Sequence, residues 1–272
     1  MHIELLKKLL KERPETSKVF KRNLVKEYFQ ILLLSYIYSH NKYQNMIFYG
    51  GSCLRHCYEL ERLSEDLDFV DLSKTVDMNE LSKDVQSFLN RELEAKIISK
   101  VQKFRIYLKI PILASIDLAE PGESDILFIK IEVYKKFEPH ADYNVQIIPL
   151  FKSGRSFLVR TFDLPTLMAT KISAILARKW EKAEKGGRTV CYVKGRDYFD
   201  LMWYLNKGVV PNIKLIDIDT MDELKTKLSS AIAKADGNSI KLDLEGFISD
   251  ENFVKQLSKN MKAILIGQVK LL

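Results

Sequence analysis

The sequence predicts an α+β fold: a sheet domain of the α/β type with an N-terminal helical segment, followed by a mainly helical second domain. Three observations carry this. Apolar residues recur at helical spacing up to about residue 40. Between 46 and 150, short apolar or alternating runs bounded by turn residues read as strands with helices between them. Beyond 151 almost every periodic segment is helical again. Two domains are therefore expected, 1–150 and 151–272.

In chain order, Leu5, Leu9, Leu24, Phe29 and the leucines of 32–34 are the apolar positions of the opening helical segment. Residues 46–49 form a short strand ended by Gly50-Gly51-Ser52, and Ser52 is a ready N-cap for a helix carrying Leu54, Cys57 and Tyr58. A strand over 66–70 follows. Asp77 then opens a helix whose inward face is Leu81, Val85, Phe88 and Leu89. Further strands are expected at 104–110, 126–134 and 143–150. In the second domain, Asp163 and Pro165 open a helix with Leu167, Met168, Ile172 and Ile175. Three more helices follow: one from near Arg196, one through Leu224 and Leu228, and one through Val254, Leu257 and Met261.

Composition narrows the function classes. Lys and Arg number 43 and Asp and Glu 36, a formal charge of +7, with 46% hydrophobic and 29% charged residues. Long disorder and collagen-like structure are excluded. The most apolar run, 29–38, is far shorter than the ~20 residues of a membrane span. Lysines at 7, 8 and 11 interrupt any secretory leader. Three cysteines without a C-x-x-C pair argue against a disulfide framework and a zinc knuckle and point to the cytoplasm.

The chemistry concentrates around the glycine turn. Glycines between a strand and a helix let a ligand approach the backbone, and the free N–H groups of the new helix favour phosphate. The Ser52 hydroxyl is a further donor. Asp66 and Asp68, two apart on a strand, point to one face, while Leu67 and Phe69 point into a core. Paired carboxylates resist joint ionisation unless a cation neutralises them, and a hard ion such as Mg²⁺ does so. If two metals are held, a third carboxylate is needed. Glu132 is the candidate: Leu127, Ile129, Ile131 and Val133 form one face of its strand, and Lys130 and Glu132 share the other. Ser64 falls on the face of Asp66 if the strand begins that early, where a phosphate would add negative charge beside the acids, repelling a phosphate ligand or sequestering metal, making it a regulatory candidate.

Lys171 is the only charged residue between Leu164 and Ala177, so it either snorkels past a core or meets something negative. The run Arg178, Lys179, Lys182, Lys185, Arg188, Lys194 and Arg196 is a sequence-local candidate for RNA-backbone contact. Trp180, Tyr192, Tyr198 and Trp203 either stack on bases or pack between helices.

Gly50-Gly51-Ser52 followed by Arg62-x-Ser64-x-Asp66-x-Asp68 resembles the first motif of the DNA polymerase beta-like nucleotidyltransferase superfamily. Within it, the chain is most similar to the AbiEii-type nucleotidyltransferase toxin family of bacterial toxin–antitoxin and phage-defence systems. Lys171 and Arg196-Asp197-Tyr198-Phe199-Asp200-Leu201 match that family's later motifs. The resemblance covers about 46–205, with a longer charged loop ahead of the second motif.

It implies a metal-dependent enzyme transferring a nucleotide from an NTP to an acceptor hydroxyl, with tRNA 3′ ends the leading acceptor and an antitoxin encoded nearby. In this reading Asp66, Asp68 and Glu132 hold two Mg²⁺ ions, with Mn²⁺ as a substitute. Gly50, Gly51, Ser52, Arg62, Lys130 and Lys171 position the nucleotide, and Asp197 is catalytic or holds Lys171. The competing readings are transfer to a small molecule or protein hydroxyl, and a catalytically silent RNA-binding relative.

Overall fold

A computed structural model describes residues 2–135, 143–177, 182–183, 189–191 and 193–272, with the side chains of 178–192 outside the described residues. The chain divides into two compact units, Met1–Phe137 with Gln146–Thr161, and Glu138–Val145 with Phe162–Leu272.

The first unit opens with α1 (His2–Lys11) and α2 (Lys18–Ser39). The single opening helical segment is thus interrupted, at a stretch containing Pro14, which lacks the N–H that a helix interior needs. The chain re-enters a helix where the Ser17 side chain accepts the Phe20 amide at 3.2 Å. α2 is apolar around most of its circumference, with Phe29, Leu33, Leu34 and Ile37 fully buried, as befits a helix in the centre of a core.

There follow β1 (Ile47–Tyr49), α3 (Gly50–Cys57), β2 (Leu67–Val70), α4 (Met78–Leu93), β3 (Ile98–Gln102), β4 (Arg105–Pro111), β5 (Ile126–Tyr134), β6 (Val145–Lys152) and β7 (Arg155–Phe162). The strands form one sheet in the order β3-β4-β5-β2-β1-β7-β6. β1 runs antiparallel to β2 and parallel to β7, and β2 runs parallel to β5. Register places Tyr49, Asp68, Glu132 and Arg105 in one row across four strands.

The second unit contains α5 (Leu164–Ala177), a short ribbon of β8 (Lys182–Ala183) and β9 (Thr189–Cys191), then α6 (Gly195–Asn206), α7 (Met221–Lys234), α8 (Gly237–Leu244) and α9 (Glu251–Val269). Asp163 caps α5 as expected, accepting the Thr166 amide at 3.0 Å. Met168, Leu201, Leu228, Leu244 and Met261, all fully buried, form its core.

Besides the split opening helix, three features depart from the sequence reading: α8, a fourth helix after α5 where three were expected, β3 and the domain division. β3 was not anticipated, because its five residues alternate only weakly, Ile-Ser-Lys-Val-Gln. The division expected at 150/151 falls instead at 161/162, because Arg155–Phe162 is a sheet strand whose Phe157 and Val159 face the core after a turn at Ser153-Gly154. Among the described residues, no helix is long and apolar enough to cross a membrane.

Candidate active site

α3 begins at Gly50, two residues before the expected Ser52 cap. Gly50 has φ +79°, which an L side chain rarely adopts, and Tyr49 precedes it as an N-cap without a side-chain hydrogen bond. The first turn of α3 therefore lacks the cap bond that an N-cap side chain usually supplies. A Cβ built on Gly50 would lie 2.6 Å from Asp68 Oδ2, and one on Gly51 would lie 2.6 Å from Arg62 Nη2 and 3.0 Å from Ser64 Oγ. Gly50 is needed because Asp68 of the acidic strand lies against the turn, and at Gly51 the Arg62 and Ser64 side chains of the loop before that strand take the space a Cβ would fill.

Asp66 immediately precedes β2 and Asp68 lies within it. Leu67 and Phe69 are fully buried, so the two acids share the opposite side. That side is also where Lys130 projects from β5: its Nζ lies 2.8 Å from Asp66 Oδ2 and 2.7 Å from Glu132 Oε1. Arg105 Nε adds a 2.9 Å bond to Glu132 Oε1, and the Tyr134 hydroxyl donates to Glu132 Oε2.

Electrostatics separates the two acids bound to Lys130. Burial pushes the Asp66 carboxyl above its ordinary range, and the Lys130 ammonium only partly reverses this. Glu132 goes the other way: burial alone would raise it, but bonds from Lys130 and Tyr134 outweigh that and hold it low. Lys130 itself is disfavoured by burial yet held above its ordinary value by the two carboxylates. The Asp66 side chain is 33% exposed, against 5% for Glu132. Asp66 is thus the more exposed of the two acids.

This revises the expected metal triad. Among the described residues no three carboxylate, histidine or cysteine side chains assemble as a metal-binding group. Lys130 takes the place between Asp66 and Glu132 that a second cation would need. Asp66 and Asp68 remain a pair of hard oxygen donors beside the glycine turn, which fits Mg²⁺; Glu132, closed off by Lys130, Arg105 and Tyr134, does not fit.

Several residues expected to touch the nucleotide instead hold the loop. Ser52 is fully buried and its hydroxyl donates to the Asp66 carbonyl, so it fixes the acidic strand. Arg62 is 2% exposed and donates to the Leu63 carbonyl at 2.8 Å. Ser64, at 8% exposure and lying before the strand begins, is not open to a modifying enzyme, against its expected regulatory role.

Sequence reasoning also missed a supporting relay. His56 Nε2 donates to Gln30 Oε1 at 3.0 Å, and Gln30 Nε2 donates to the Ser64 carbonyl at 2.9 Å. Both side chains are buried. Burial lowers His56 to about 3, so it stays neutral and keeps the tautomer this relay requires. No spacing in the sequence signals this, because Gln30, His56 and Ser64 lie on three separate segments.

In the second unit, the Lys171 ammonium lies 2.8 Å from both Asp197 Oδ1 and Asp200 Oδ2. Lys171 is 13% exposed and the two acids 5% and 0%, so the lysine does not snorkel and Asp200 belongs to the cluster as firmly as Asp197. Asp243 of α8 caps the start of α6 from outside: its Oδ2 accepts the Arg196 amide at 3.0 Å and Nε at 3.3 Å, and the Arg196 guanidinium lies 4.0 Å from the Phe247 ring centroid.

Tyr198 and Trp203 are buried in the helical core rather than presented to bases. Arg178, Lys179, Trp180, Lys185, Arg188 and Tyr192 lie outside the described residues, as does the side chain of Lys182.

A family model described as "Nucleotidyl transferase AbiEii toxin, Type IV TA system" matches residues 32–271, most of the chain. No curated protein matches the sequence. Among solved structures, the chain is similar to JHP933 from Helicobacter pylori, with 18% identity, TM-score 0.47, and coverage of 92% of this chain and 94% of that one. A second H. pylori structure, named "putative nucleotidyltransferase", has 17% identity, TM-score 0.45, and coverage of 91% and 96%.

Proposed function

Because the chain belongs to the AbiEii nucleotidyltransferase toxin family, the toxin of a type IV toxin–antitoxin system, we propose that it transfers a nucleotide from an NTP to a hydroxyl of RNA, with tRNA 3′ ends as the acceptor. The observation that carries this reading is the Asp68 carboxylate lying against Gly50 at the uncapped start of α3. Acidic ligands for a cation and bare amides for a phosphate then meet at one turn.

In this reading Asp66 and Asp68 hold Mg²⁺, for which Mn²⁺ substitutes. When bound, the ion supplies neutralisation of phosphate charge and acidification of the acceptor hydroxyl. The amides at the start of α3 hold phosphate oxygens, and Gly50 and Gly51 give them room to approach. Lys130 orients Asp66 through its 2.8 Å ion pair. Lys171 offsets phosphate charge, and Asp197 and Asp200 hold its ammonium charged and directed. The protein's contribution is geometry and fixed charge. An RNA acceptor and an NTP donor place the enzyme in the cytoplasm, with an antitoxin encoded nearby as its partner.

The test feeds labelled NTPs and total RNA to the purified chain. Label that enters RNA and is released by RNase supports the reading. Label that persists on protein or a small molecule after RNase rejects the RNA acceptor, and no transfer to any acceptor rejects the enzymatic reading.

A further inference from the structure

The sheet face that carries the acids continues past them, and its character changes. Its orientation is fixed by what lies behind it. Ser99 of β3 bonds Gln86 of α4 through its amide at 2.9 Å and its hydroxyl at 2.7 Å, so its neighbours Ile98 and Lys100 face away from the helices. On β4, Ile106 and Leu108 are fully buried, which sends Tyr107 and Lys109 to the same open side. On β5, Phe128 is 50% exposed, and on β3, Ile98 is 53% exposed.

Register arranges these residues in rows. The row through Arg105, Glu132 and Asp68 is acidic and ion-paired. The next row out is Lys100, Tyr107 and Lys130, and the one beyond is Ile98, Lys109 and Phe128. Lys109 Nζ sits 5.8 Å from the Phe128 ring centroid. Lys100 and Lys109 have no ion-pair partner among the described residues. The face therefore runs from an acid pair to a surface on which unpaired ammonium groups alternate with a half-buried ring, Tyr107, and an exposed one, Phe128.

That alternation selects an occupant. Single-stranded nucleic acid binds where cations follow the phosphates and rings receive the bases. A duplex buries its base faces and cannot use the rings. We propose that the open face of β3–β4–β5 holds unpaired nucleotides of the acceptor RNA, with bases stacked on Tyr107 and Phe128 and phosphates on Lys100 and Lys109. The inference rests on the RNA-acceptor reading above and adds where the acceptor lies and that it is unpaired.

The test is anisotropy of a fluorescent 12-nucleotide unstructured RNA titrated with the full chain, without NTP, over a range of salt. Label transfer to RNA is measured in parallel. Lys100→Glu with Lys109→Glu is expected to weaken binding at least tenfold and to reduce the salt slope by about 1.4, from two lost single-strand phosphate contacts. Tyr107→Ala with Phe128→Ala is expected to weaken binding about tenfold or more with the salt slope unchanged. Tyr107→Phe retains binding. All four positions lie on an exposed or half-exposed surface, and thermal melting confirms the fold of each variant.

Wild-type binding in both paired variants, no binding by the unaltered chain, or equal competition by a 12-base-pair RNA duplex each overturns the inference. Normal transfer to RNA alongside unaltered binding in the variants sinks the docking face and leaves the acceptor reading standing. Binding through this face without transfer to RNA supports the docking face and sinks the acceptor reading.

Discussion

Gly50 is the residue at which the chain turns from β1 into α3, against Asp68 of the acidic strand. Its φ of +79° and the 2.6 Å separation between an added Cβ and Asp68 Oδ2 mean that alanine there strains the backbone and displaces the carboxylate together. Gly50→Ala is expected to cost about 1–2 kcal/mol in stability from the left-handed backbone alone. It is also expected to lower label transfer far more than that loss explains, as read by urea denaturation beside turnover. Lys130 gives a second residue-scale prediction. Its ammonium compensates Asp66 and Glu132, so Lys130→Met leaves two carboxylates facing each other with one cation fewer. Destabilisation of about 1–3 kcal/mol is expected. Adding Glu132→Gln should recover part of it, because the neutral amide no longer needs the ammonium. No recovery in the double variant would show that Lys130 acts through something other than Glu132.

Alternation along single elements was legible in the sequence. Lys130 and Glu132 on one side of β5, with Leu127, Ile129, Ile131 and Val133 on the other, is the observed arrangement, and Asp77 caps α4 as its position implied. The start of α3 was not legible. Serine is a favoured cap, but the left-handed backbone that glycine permits starts the helix two residues earlier and sends the Ser52 hydroxyl to the Asp66 carbonyl. Nor was the placement of Lys130 between two acids, since an ion pair across strands depends on register and burial that one strand's pattern does not contain.

The relay from α3 through α2 to the acidic loop carries a pH dependence of its own. His56 is lowered to about 3 in the fold by burial, whereas an unfolded histidine titrates near 6.5. Between those values the unfolded chain binds a proton that the folded one refuses. The contribution to stability is thus complete above pH ~6.5 and is lost as pH falls towards 3. From pH 6.5 to 5 the loss is about 2 kcal/mol. Urea midpoints at pH 7.5 and 5 should therefore differ less in His56→Gln than in the unaltered chain, and an equal difference would remove His56 from the account.

Across the whole molecule the chemistry-bearing residues are divided between two units. Asp66, Asp68 and the glycine turn belong to the first, and Lys171 with Asp197 and Asp200 to the second. The order of the motifs along the chain names this candidate set but not its division between units, because β7 follows a turn that resembles the end of a domain. Lys171→Ala should abolish label transfer while leaving Mn²⁺ binding, read by paramagnetic relaxation of water, at the level of the unaltered chain. Replacing the two acids should remove both.

The most direct measurement is transfer of label from NTP to RNA by the chain carrying Asp66→Asn and Asp68→Asn, substitutions that preserve shape and remove charge. The account predicts a fall of at least about 100-fold with an unchanged melting temperature. Transfer at the level of the unaltered protein would contradict it.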